Sequence, residues 1–99
     1  MLPNFLIIGG GKCGTTSLHH MLGQHPEVFM STPKEPHFFS RDASWKRGLE
    51  WYERLFEPGR AAAARGEAGV SYATFQNERH VVARIGRHLP DVRLIYLVR

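Results

Sequence analysis

Four glycines, one lysine and three hydroxyl side chains fall together in "GGGKCGTTS", residues 9–17. That combination suits an anion. Unpaired backbone N–H groups and the positive end of the helix dipole stabilise phosphate at a helix N-terminus. Glycines at 9, 10, 11 and 14 let the main chain approach such a ligand closely, and Thr15, Thr16 and Ser17 add donors in the first turn. A plain cap would use one of those hydroxyls and no lysine. The residue order narrows the chemistry. A Walker A loop needs lysine directly after its last glycine, then Ser or Thr to hold magnesium. Here the order is Lys12, Cys13, Gly14, Thr15, so that pattern fails. The dinucleotide fingerprint fits Gly9, Gly11 and Gly14, but its acidic partner belongs at the end of a second strand about twenty residues on. Glu35 stands near that distance, in a proline-rich loop instead.

A second chemical segment is "KEPHFF", residues 34–39. A carboxylate within hydrogen-bond reach of an acceptor hydroxyl can take its proton, which makes Glu35 a candidate base. His37 is a second candidate or an orienting partner. The blander reading pairs Glu35 with Lys34 in solvent and half-buries His37. Phe38 and Phe39 read as core. Cys13, near a helix N-terminus and a lysine, has the surroundings that activate a thiol, although incidental small-residue packing is the better account of it. The six histidines show no metal-ligand spacing, and His19 and His20 point to different faces of one helix.

These residues need a scaffold. Phe5 to Ile8 predict a strand that the glycines break. From Thr15 the apolar positions Leu18, Met21 and Leu22 follow a helical period, ended by His25-Pro26. "VFMSTPKEPHFFS" reads as an apolar patch followed by a loop. Gly48 to Phe56 predict a helix stopped by Pro58-Gly59, and "EAGVSYA" a short second strand. Val81, Val82, Ile85 and Leu89 mark a third helix, and Val92 to Val98 the most apolar strand. Apolar strands alternating with helices imply an α/β fold, a parallel sheet with helices on both faces.

Composition bounds the partners. A chain of 99 residues is one domain at most, and a formal charge of +4 favours anionic ligands. No basic run marks a nucleic-acid surface, and no apolar run is long enough for a membrane span. A single cysteine and the lack of a signal-peptide pattern make a cytoplasmic protein the expectation. The strand "VRLIYLVR" stops at Arg99, where an α/β site would continue, so the chain reads as a fragment of a larger domain.

"KCGTTSL" resembles the 5′-phosphosulfate-binding loop of sulfotransferases that use 3′-phosphoadenosine 5′-phosphosulfate (PAPS). "HPEVFMSTPKEPHFF" and "GLEWYERLF" are similar to the segments that come next in heparan-type and related bacterial sulfotransferases, and "PDVRLIYLVR" to the strand opening their 3′-phosphate motif. The resemblance implies that residues 1–99 are the N-terminal part of one sulfotransferase-like domain with a P-loop-like sheet. It implies PAPS as sulfuryl donor without a metal, PAPS and its product PAP as partners, and an acceptor hydroxyl or amine on a glycan, lipid or small molecule. Gly11 to Ser17 would bind the 5′-phosphate, with Lys12 on the leaving group; Glu35 would be the base, and Arg99 would contact the 3′-phosphate. "GEAGVSYA" resembles the family's Gly-Glu-x-Ser-Pro-x-Tyr segment with Gly69 and Val70 replacing Ser-Pro, and Ala68 stands where heparan-type enzymes carry lysine. Two other readings stay open: a nucleotide kinase or NTPase with an altered P-loop, and a truncated module without catalysis.

Overall fold

The computed structural model describes residues 2–9, 15–31, 37–69, 72 and 78–97. The elements are β1 (Phe5–Gly9), α1 (Thr15–Gly23), β2 (Val28–Met30), α2 (Asp42–Trp45), α3 (Leu49–Arg54), a 3-10 turn (Glu57–Gly59), β3 (Ala64–Gly69), α4 (Glu78–His88) and β4 (Arg93–Leu97). The four strands form one parallel sheet in the order β2-β3-β1-β4. In its register Phe5 lies opposite Gly66 and Arg93, and Ile8 opposite Gly69 and Tyr96. Among the described residues no helix is long and apolar enough to cross a membrane.

Alternation along the strands divides the core between the two faces. Phe5, Ile7, Met30 and Ala68 are buried on one face, where Leu18 and Leu22 of α1 cover them. Leu6 belongs to the other, with Phe38, Phe39, Tyr52, Phe56, Tyr72, Val81 and Leu89. Thus α1 covers one face, and α3 and α4 the other. This is what right-handed crossovers require when β1 connects to β2 past β3, while β3 connects to β4 past β1. A Cβ on Gly66 would lie 2.5 Å from the Phe5 ring, so the glycine makes room for its cross-strand neighbour.

The sequence reading and the fold differ at several elements. Val28–Met30, read as an apolar patch, is strand β2; the segment "EAGVSYA", read as the second strand, contributes the end of the third. Three residues are too few for an alternation to show, and β2 is defined by pairing to Ala64, Arg65 and Gly66. The four-residue α2 escapes for the same reason. Its neighbour α3 is preceded by Gly48, whose φ of 91° is a backbone angle that glycine adopts without strain. The helical cover also stops at β4: Leu94 and Tyr96 are 55% and 59% exposed. The described helices lie over β1, β2 and β3, leaving β4 at the end of the sheet.

Candidate active site

Because all four strands are parallel, their carboxyl ends share one edge of the sheet. Gly9, Met30, Gly69 and Leu97 end β1 to β4 there. The connection from β1 leads to α1 on one face and the one from β3 to α4 on the other, so the ends of these adjacent strands flank a crevice of the kind in which α/β proteins bind ligands. The predicted site residues come directly after those ends in the chain. Gly11, Lys12, Cys13 and Gly14 lie between Gly9 and Thr15, Glu35 between β2 and His37, and Arg99 just past Leu97. All six lie outside the described residues.

The described part of the site starts with α1. Thr15 and Thr16 open this nine-residue helix, and the Ser17 side chain is exposed on its first turn. That turn carries no acidic residue, so nothing there opposes an anion. On the same helix, His19 Nε2 lies 3.4 Å from the carbonyl oxygen of Ser31, just past the end of β2, and the buried Ser31 N–H donates to Gly66 O at 3.0 Å. These contacts tie α1 and the start of the glutamate-bearing segment to β3. Among the described residues no cluster of three His, Cys, Asp or Glu side chains could hold a metal ion.

His37 is half-buried and has a φ of 56°. Histidine adopts this left-handed conformation more readily than most side chains, and here it turns the chain from the "KEP" segment into the core. Its carbonyl accepts the N–H of Ser40 at 3.3 Å and of Arg41 at 3.0 Å. Phe38 and Phe39 are buried, as the sequence suggests. Helix α4 holds the main chain from Phe39 to Asp42. Arg84 Nη1 donates to Phe39 O at 3.3 Å, Arg84 Nη2 to Asp42 Oδ1 at 2.7 Å, and His80 Nε2 lies 3.2 Å from Ser40 O. The hydrogen bond from Arg84, reinforced by its charge, holds the Asp42 carboxyl below its ordinary value. The Arg84 guanidinium also sits 4.7 Å from the centre of the Trp45 ring.

Sequence reasoning missed a buried polar cluster beneath this turn. Glu67 on β3 is fully buried, and its Oε2 accepts a hydrogen bond from the Tyr52 hydroxyl of α3. Burial pushes the Tyr52 hydroxyl well above the ordinary tyrosine value, and the charge of Glu67 adds to the rise. Tyr72 is raised by burial first and Glu67 second, offset in part by the main chain of Phe39 and Phe38. The available signal was a single carboxylate among small residues in "GEAG", five positions before a tyrosine. The cluster makes stability depend on pH. Below the ordinary tyrosine value of 10.0 both hydroxyls are protonated whether the chain is folded or not. Above it the unfolded chain releases protons that the folded chain keeps, so stability is lost as pH rises towards the folded-state values. Urea unfolding midpoints should fall from about pH 10 upward, and less steeply in a Tyr72→Phe variant.

Comparison with known proteins identifies the family of this chain. The family model for the sulfotransferase domain matches residues 2–99, and the chain belongs to that family. It is 38% identical over 98 residues to mouse (Mus musculus) heparan sulfate glucosamine 3-O-sulfotransferase 3B1, covering 99% of this chain and 24% of the relative. With the membrane-associated sulfotransferase kil1 of Dictyostelium discoideum it shares 32% identity over 98 residues, 99% of this chain and 20% of that protein. The crystal structure of a sulfotransferase from Alicyclobacillus acidocaldarius superimposes with a TM-score of 0.79 at 34% identity, covering 97% of this chain and 44% of that one. The chain therefore spans about a quarter or less of the length of these curated relatives.

Proposed function

We propose that this chain carries the donor-binding part of a sulfotransferase that moves a sulfuryl group from PAPS to an acceptor hydroxyl or amine. The observation that carries the reading is the placement of "GGGKCGTTS" between the carboxyl end of β1 and the N-terminus of α1, in a chain that matches the sulfotransferase family from residue 2 to residue 99. In the proposed reaction the acceptor oxygen or nitrogen bonds to sulfur as the bond from sulfur to the bridging phosphate oxygen breaks. The acceptor proton passes to Glu35, or to His37, and the electron pair stays on the departing phosphate. Lys12 neutralises the charge that grows on that bridging oxygen, by analogy with phosphoryl transfer. The α1 amides, with Thr15, Thr16 and Ser17, hold the 5′-phosphate, and Arg99 supplies part of the 3′-phosphate contact. Ala68, buried where heparan-type enzymes carry lysine, speaks against a glycosaminoglycan acceptor.

Ligand-dependent melting tests the reading. In the full-length protein, adenosine 3′,5′-bisphosphate should raise the melting temperature in proportion to its binding free energy, and ATP with magnesium should do so far less. Stabilisation by ATP-magnesium alone would favour a kinase or NTPase and overturn the proposal.

A further inference from the structure

We propose that Glu67, acting through Tyr52, is a positioning residue for the transfer reaction, fixing the direction in which the chain at His37 leaves the core and so aiming the "KEPH" segment. The inference rests on the sulfotransferase reading. Glu67 lies on β3 opposite Leu6, on the sheet face that carries the aromatic core, two residues before the strand reaches the crevice. Its hydrogen bond orients the Tyr52 ring, which stacks on Phe38 at 4.4 Å and 9° and meets Phe39 edge-on at 5.1 Å. Tyr72, also buried, meets Phe39 edge-on at 5.6 Å. The two residues after His37 thus pack against two buried tyrosines, one of them oriented by the buried carboxylate.

The fold alone gives no reason for a carboxylate there. Burying one is costly, and replacing a buried charge together with its polar partners by apolar residues of similar size is often neutral or stabilising. What Glu67 adds is direction, because a hydrogen bond inside a low-dielectric core selects one ring orientation where apolar packing would allow several. The left-handed backbone of His37 fits this account. A strained conformation persists where its surroundings over-determine it, and here the Glu67 cluster acts from below while Arg84 and His80 act from α4.

The test uses the full-length protein, with PAPS as donor and 4-nitrophenol and heparan sulfate as acceptor probes. Glu67→Leu leaves the buried Tyr52 hydroxyl without its acceptor, so it should unfold at a lower urea concentration, yet stay folded without denaturant and bind adenosine 3′,5′-bisphosphate within about twofold of the parent. Its acceptor KM should stay within about threefold while kcat falls about a hundredfold, the size of effect that a small misplacement of a reacting group produces. Glu67→Gln, whose amide oxygen still accepts from Tyr52, should recover kcat to within about tenfold of the parent. Amide hydrogen exchange at Phe38, Phe39 and Ser40 should quicken about tenfold in Glu67→Leu and stay unchanged along β1. Parental kcat in Glu67→Leu overturns the proposal, as does a loss that only accompanies global unfolding or that glutamine does not restore. Should Glu67→Leu not fold, Tyr52→Phe keeps the ring, removes the donor to Glu67 and decides: parental kcat in the folded variant overturns the inference. If the parent protein transfers no sulfate, the sulfotransferase reading falls separately, and unchanged exchange at Phe38 to Ser40 then overturns the claim that Glu67 holds this segment.

Discussion

Replacing Lys12 with alanine is expected to lower kcat by about 10²–10³-fold, roughly 3–4 kcal/mol of transition-state stabilisation, the scale on which removing one preorganised charge-stabilising donor acts. The effect is differential. On the proposed reading the bound donor's negative charge is shared among the phosphate and sulfate oxygens, and backbone amides at the N-terminus of α1 would already meet the phosphate. As the bond from sulfur breaks, charge concentrates on the bridging oxygen, where an ammonium group is worth most. Uniform binding would raise affinity without raising kcat, so the variant should bind adenosine 3′,5′-bisphosphate within about tenfold of the parent. Glu35→Gln should also depress kcat with little change in nucleotide binding, because the base acts on the acceptor and not on the donor. Stopped-flow or radiolabel assays of sulfate transfer at saturating donor separate the two parameters. Parental kcat in both variants would refute the assignment of roles.

How much of this could be read from the chain depended on the length scale of each signal. The strand–glycine–helix junction at residues 5–22 is local. Its apolar run, glycines and helical period occupy adjacent positions, and β1 and α1 appear close to where they are expected. Helix α4 and strand β4 were legible for the same reason. By contrast β2 is three residues long and exists through pairing with Ala64 to Gly66, more than thirty positions away in the chain. The Glu67 cluster is more remote still from local patterning: Tyr52, Glu67 and Tyr72 share no period, and only the crossover from β2 through α3 to β3 brings the first two together. Loop motifs are local chemistry and can be read. Buried polar groups that aim those loops are products of tertiary packing.

The Tyr52 ring offers the largest effect on stability. Tyr52 is fully buried, stacks on Phe38, meets Phe39 and Phe56 edge-on at 5.1 and 5.2 Å, and donates to Glu67. Tyr52→Ala removes an aromatic side chain from the centre of the larger core and leaves the Glu67 carboxylate without that donor. Deleting a core aromatic costs about 3–5 kcal/mol, and depriving a buried carboxylate of a hydrogen bond adds about 1–3, for an expected loss of about 4–6 once partial relaxation is allowed. Most domains have only about 5–15 kcal/mol to lose, so the variant should be close to unfolded at ambient temperature. Tyr52→Phe keeps every ring contact and removes only the hydroxyl, so it should cost about 1.5–3 kcal/mol, the range for a hydrogen bond to a charged group. Urea titrations of the full-length protein, compared at equal m-value, separate the two contributions. A loss below about 2 kcal/mol in Tyr52→Ala would mean that the rings around Phe38 collapse into the space, and that the turn at His37 is held chiefly by α4 through Arg84 and His80.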